Sequence, residues 1–91
     1  MDWKVRLEGD ESTLSQLQQA TSSPAAKVMR DGVDWYLEST DFEPLTDHVA
    51  VREKAATIVE TIMGGQPAAV ALGPVIRMHY DGSKSVFRAD G

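Results

Sequence analysis

Two Asp-Gly dipeptides, Asp31-Gly32 and Asp81-Gly82, each lie between stretches rich in apolar and β-branched residues. Asp-Gly favours a two-residue type I′ turn, whose central positions both need positive φ. Each dipeptide therefore predicts an antiparallel hairpin: Ala26–Arg30 with Val33–Ser39, and Val75–Tyr80 with Ser83–Arg88. In the first, Arg30 falls opposite Val33, Val28 opposite Trp35 and Ala26 opposite Leu37. The apolar residues then share one face, which supports that pairing independently of the turn. In the second, Met78 pairs with Ser85 and Ile76 with Phe87.

The rest of the chain supplies partners for these hairpins. Trp3, Val5 and Leu7 alternate with Lys4, Arg6 and Glu8, the period of a half-buried strand. After Gly9, Asp10 or Ser12 can cap a helix to about Ala20, with Leu14 and Leu17 facing inward. A second helix, capped by Thr46 or Asp47, should run to about Met63. Val51, Ala55, Ile58, Val59 and Ile62 form its buried stripe. Gly64-Gly65 supplies a left-handed end, and Pro67 prevents the helix from resuming. Ala69–Leu72 reads as a further strand, interrupted at Gly73-Pro74 before Val75–Tyr80. The order β-α-β-β-α-β-β in 91 residues predicts a single α+β domain. Its first six elements match the split β-α-β, ferredoxin-like plan: an antiparallel sheet with two helices on one face, extended here by an edge strand.

Composition narrows the chemistry. No cysteine is present, which removes disulfides, thiolate metal sites and cysteine nucleophiles. No apolar run approaches the length of a membrane span and the opening is polar, so the expected setting is cytoplasmic. Fourteen acidic against nine basic side chains give a net charge of −5. The excess is local: Asp31, Asp34, Glu38, Asp41, Glu43 and Asp47 share a segment without Lys or Arg. A phosphate backbone or an anionic membrane would be repelled there, so neither nucleic acid nor membrane is the expected partner.

Candidate chemistry is sparse. The acidic connector 34–48, with Asp41, Glu43, Asp47 and His48, lacks the central glycine and final glutamate of a calcium loop, and reads as solvated charge. His48 and His79 are the only histidines, the residue type best suited to proton transfer, yet neither has a zinc-protease spacing or a nucleophile elbow beside it. Gly64-Gly65 follows a helix, whereas a phosphate-binding loop precedes one. No catalytic, cofactor-binding or metal-ligating residue is assigned.

The most informative surface is the sheet face turned away from the helices. Alternation places Lys4, Arg6, Glu8, Lys27, Met29, Asp34, Tyr36, Glu38, Arg77 and His79 on it. With Tyr36 as its one aromatic residue, the face does not match an RNA-stacking platform. Met29, Tyr36 and a valine of the last hairpin, Val75 or Val86, interrupt its charges. Met29, Tyr36, Arg6, Arg77 and His79 are the candidate interaction residues.

Several stretches resemble a family of small uncharacterised bacterial proteins. They are Trp3-Lys4-Val5-Arg6-Leu7-Glu8-Gly9-Asp10, Trp35-Tyr36-Leu37-Glu38-Ser39 through Phe42, Val51-Arg52-Glu53-Lys54-Ala55, and Gly73-Pro74-Val75-Ile76-Arg77. That family has no assigned activity, so the resemblance carries no catalytic role onto these positions. Its members tend to continue past the final strand, which implies that residues 1–91 are the N-terminal part of a longer protein. The functional expectation is a non-enzymatic interaction or regulatory module, a homodimer or a domain that docks on another part of its own chain. The alternatives are a small metal-assisted or acid–base enzyme built on the connector, and a small-metabolite-sensing domain.

Overall fold

In the computed structural model, which describes residues 2–64 and 70–88, five strands form one antiparallel sheet and two helices pack against it. The elements are β1 (Trp3–Glu8), α1 (Glu11–Ala20), β2 (Ala26–Asp31), β3 (Asp34–Ser39), a 3₁₀ turn (Thr40–Phe42), α2 (His48–Met63), β4 (Ala71–Met78) and β5 (Lys84–Phe87). The strands lie in the order β2-β3-β1-β4-β5. No helix among the described residues is long and apolar enough to cross a membrane.

One core joins the helices to one side of the sheet. Trp3, Val5 and Leu7 of β1 meet Val28, Trp35, Leu37 and Val75 beneath Leu14 and Leu17 of α1 and Val51, Ala55 and Val59 of α2. Ile58 and Ile62 pack at its margin. Asp47 caps α2 by accepting from the Val49 amide at 3.0 Å, and Gly64, at φ +64°, ends it. Gly65, Pro67 and Ala69, which carried the expected helix stop and strand start, lie outside the described residues.

Phe42 is fully buried, although the sequence places it in a polar connector. The 3₁₀ turn directs it inward: the Ser39 hydroxyl accepts from the Asp41 amide at 3.1 Å, and the Trp3 indole donates to the Leu45 carbonyl at 2.9 Å. These bonds hold the connector against the end of β1. Ser39 is itself fully buried, so its hydroxyl requires this partner.

Both hairpins form, and both registers differ from expectation. In the first, Asp31 pairs with Asp34, so the loop residues are Gly32 and Val33. Gly32 is at φ +65° and Val33 is not at positive φ, the pattern of a type II′ turn. Val28 therefore faces Leu37 and Ala26 faces Ser39, two residues from the expected pairing. A shift of two preserves every face, so Trp35 is still core, but Val33 is 85% exposed at the tip. In the second, the Gly82 amide donates to the His79 carbonyl at 3.1 Å and the His79 amide to the Ser83 carbonyl at 2.9 Å. Gly82 stands at φ +88°. The loop thus holds three residues, Tyr80 to Gly82, and ends in a left-handed glycine bulge. Ile76 pairs with Val86 and Met78 with Lys84, a shift of one.

Gly73-Pro74 bulges β4 without ending it. Val5 faces Val75 and Leu7 faces Leu72, so β4 spends three residues where β1 spends two. The extra residue lets Leu72 and Val75 both face the core despite their opposite parity. Proline suits the bulge because it gives no ladder donor. Glycine suits it because a Cβ at 73 would lie 3.2 Å from the Arg6 Cβ and from a Glu8 carboxylate oxygen.

Candidate functional site

The open side of the sheet is where the structure leaves chemistry uncommitted. Arg6 and Met29 each pair with Tyr36 across neighbouring strands, and Lys27 pairs with Glu38. The Arg6 guanidinium lies 2.9 Å from the Asp34 carboxylate, and the Lys4 ammonium sits 4.2 Å above the Tyr36 ring. Met29, Tyr36 and Arg6 thus occupy the face that alternation assigns them.

Arg77 and His79 do not. Arg77 pairs with Trp3, and its guanidinium lies 4.9 Å from the centre of that buried ring, on the helix side. His79, just beyond β4, is exposed and shares a 2.8 Å hydrogen bond with the Ser85 hydroxyl. Ser85 is the partner of Arg77 in β5. Ile76 and Val86 take the open face instead. β5 shifts by one residue against β4, so Phe87 pairs with Val75 in place of Ile76 and stays on the helix side. There it stacks on His48, ring centres 4.3 Å apart, and its carbonyl accepts from the Arg52 guanidinium at 3.3 Å.

The exchange changes the character of the face. Ile76 is 5% exposed although it belongs to the side without helices. It floors a shallow depression of about 570 Å³, with Pro74 beside it and Tyr36 and Val86 as walls. Arg6, Lys84 and Arg88 line the rim together with Glu8 and Asp34. Val86 is 48% exposed. The missing side chain of Gly73 deepens the depression beside Arg6 and Glu8. Pro74, Ile76, Lys84 and Arg88 belong to it without having been singled out from the sequence, whereas of the two valines expected on this face Val86 is here and Val75 is in the core. The Gly73-Pro74 pair was the available signal, because a bulge inverts the parity of everything after it.

The acidic connector does not converge. Asp34 is paired with Arg6, Asp41 lies 4.0 Å from the Lys54 ammonium, Asp47 caps α2 and His48 stacks on Phe87. Among the described residues no three His, Asp or Glu side chains gather in a way that could hold a metal ion. Among the described residues, Asp81 is the one titratable group clearly displaced from its ordinary range. The Ser83 hydroxyl donates to its carboxylate, the Ser83 amide adds a second bond, and together they lower its pKa. This is a turn motif on the surface.

Comparison with protein-family models, with curated proteins and with solved structures gives no match for this chain.

Proposed function

We propose that the protein is a non-enzymatic protein-interaction or regulatory module whose working surface is the open side of its sheet. The observation that carries this reading is the depression over Ile76: an apolar floor inside a charged rim is the anatomy of a protein interface. The occupant the charges suit best is a second copy of the chain. Opposite signs alternate on this face, as in Arg6 beside Asp34 and Lys27 opposite Glu38. Two such faces meet without the repulsion expected elsewhere on a chain of net charge −5. Two-fold pairing closes on itself and leaves no further copy to recruit.

Sedimentation equilibrium tests this directly. The reading expects a dimer at high micromolar concentration and a monomer for Tyr36→Glu and Val86→Glu. A wild-type chain that stays monomeric overturns the homodimer. A dimer indifferent to both substitutions overturns the surface. A second reading, a small acidic metabolite held in the same depression by Arg6, Lys84 and Arg88, is favoured by those three cations. A thermal-shift screen against common carboxylates and phosphates separates it from the first.

We also infer that the architecture is the split β-α-β plan with one strand added. In its support, β3 lies between β1 and β2, β1 lies between β3 and β4, and β5 adds outside β4.

A further inference from the structure

The two edges of the sheet are finished differently. In the first hairpin the two-residue loop makes Asp31–Asp34 a hydrogen-bonded pair, so alternation turns the backbone groups of Ala26, Val28 and Arg30 outward. The molecule covers much of that edge itself. The Gln18 side chain of α1 donates to the Val28 carbonyl at 3.0 Å, and the Ala26 amide donates to the Ser23 carbonyl at 3.3 Å. The Arg30 guanidinium ties β2 to Glu11 of α1.

At β5 the phase of the ladder is set by the bond from His79 to Ser83. Counting back from it, Ser85 and Phe87 turn their backbone groups toward β4, while Lys84 and Val86 turn theirs outward. Among the described residues nothing meets those outward amides and carbonyls. The strand is nonetheless held in place from behind, by Phe87 stacked on His48 and by Arg52 on the Phe87 carbonyl. An edge fastened on one side and unpaired on the other is ready for strand addition.

The side chains say which strand fits. Lys84, Val86 and Arg88 share the open face along this edge. In an antiparallel pair of two β5 strands centred on Val86, Lys84 of each copy would face Arg88 of the other. Neighbouring registers leave the same cations diagonal to one another. Like charges across strands destabilise the pairing. We propose that the β5 edge binds an extended acidic peptide segment of another protein as a sixth antiparallel strand, with the pattern acidic-x-apolar-x-acidic. Its acids face Arg88 and Lys84, its apolar residue covers Val86, and its backbone completes the ladder at Lys84 and Val86. Cross-strand charge pairing already operates on this face, where Arg6 of β1 reaches Asp34 of β3 diagonally at 2.9 Å. Strand addition shares Lys84, Val86 and Arg88 with the open face, but its backbone ladder at Lys84 and Val86 does not depend on self-association.

The test uses the full chain labelled with ¹⁵N and the capped peptide Thr-Glu-Thr-Val-Thr-Glu-Thr. Amide shifts are followed as peptide is added to millimolar concentration, with a control in which both Glu are Lys. The expected shifts centre on Lys84–Arg88 and are absent with the control. Lys84→Glu with Arg88→Glu weakens the acidic peptide at least tenfold and admits the basic one. Val86→Pro, which removes an outward donor but none of the inward ones, abolishes binding of both. Shifts centred on β2 or the helices, equal binding of the basic control to the wild type, or no shifts at all overturn the proposal. A dimer that persists while the peptide fails to bind sinks the edge and leaves the face reading intact.

Discussion

The β2–β3 and β4–β5 hairpins both turn at Asp-Gly, yet the first loop is Gly32-Val33 and the second is Tyr80-Asp81-Gly82. The same dipeptide thus leads to displacements of two residues and of one. Because side chains alternate, the first displacement moves no residue between faces, whereas in the second β4 exchanges its faces and β5 keeps its own. That single residue takes Arg77 to the core side over Trp3 and brings Ile76 to the open side beside Val86. It works together with the bulge at Gly73-Pro74, which reverses the parity of β4 against β1. One end of the sheet is therefore closed over by α1, and the other presents an apolar floor and an edge that is unpaired among the described residues.

The largest expected effect is the unequal weight of the two ends in stability. Trp35→Ala should cost about 3–5 kcal/mol, much of the ~5–15 kcal/mol available to a small domain. Phe87→Ala, at a half-buried edge position, should cost about 1–2 kcal/mol, in proportion to the area it covers. Urea unfolding followed by tryptophan fluorescence measures both. Equal losses would mean that the ends are equally consolidated and that the comparison is wrong.

Removal of the bulge comes next. Deleting Gly73 and Pro74 together makes Leu72 and Val75 consecutive, so alternation turns them to opposite faces and they can no longer both face the core. A loss of about 2–4 kcal/mol is expected, with retained far-ultraviolet dichroism. Deleting Pro74 alone leaves two steps between Leu72 and Val75, as between Leu7 and Val5, and should cost less. A double-deletion variant as stable as the wild type would show that the bulge does not set the face.

The two glycines offer a finer separation. No atom lies near a Cβ built on Gly32 or Gly82, so only backbone strain distinguishes them. Asparagine tolerates the left-handed helical region expected at Gly82, but not the first central position of a type II′ turn at Gly32. Gly32→Asn should cost about 1–3 kcal/mol and Gly82→Asn less than about 1 kcal/mol. Equal costs would make the two turns alike.

The smallest effect is electrostatic. Hydrogen bonds from Ser83 lower the pKa of Asp81 in the folded chain. Whatever stability this lends is present above the unfolded value and is lost as pH falls through the folded one. Ser83→Ala should move the carboxyl titration, followed by NMR, back up toward its ordinary range. An unchanged titration would remove Ser83 as the cause.

Much of this architecture is legible in the residues. The alternation of Trp3, Val5 and Leu7, the stripe of α2, and the inward placement of Leu14, Leu17 and Trp35 follow from period and capping alone. Met29, Tyr36 and Arg6 are legible for the same reason, since they sit where alternation is uninterrupted. Phe42 is not, because a lone aromatic among acids has no periodic neighbours to point it inward. Arg77 and His79 are misplaced because Gly73-Pro74 can equally interrupt a strand or bulge it. Which occurs depends on the partner strand, where Val5 and Leu7 demand two apolar contacts from the four residues Leu72–Val75 of β4.

The central claim is that the open side of the sheet at β1, β4 and β5 is the surface on which this protein meets another copy of itself. A series of ¹⁵N–¹H correlation spectra from low to high micromolar concentration tests it residue by residue. The account predicts concentration-dependent shifts at Arg6, Tyr36, Ile76 and Val86, with α1 and the outer face of α2 unmoved. Shifts confined to the helices, or spectra identical across the series, would contradict it.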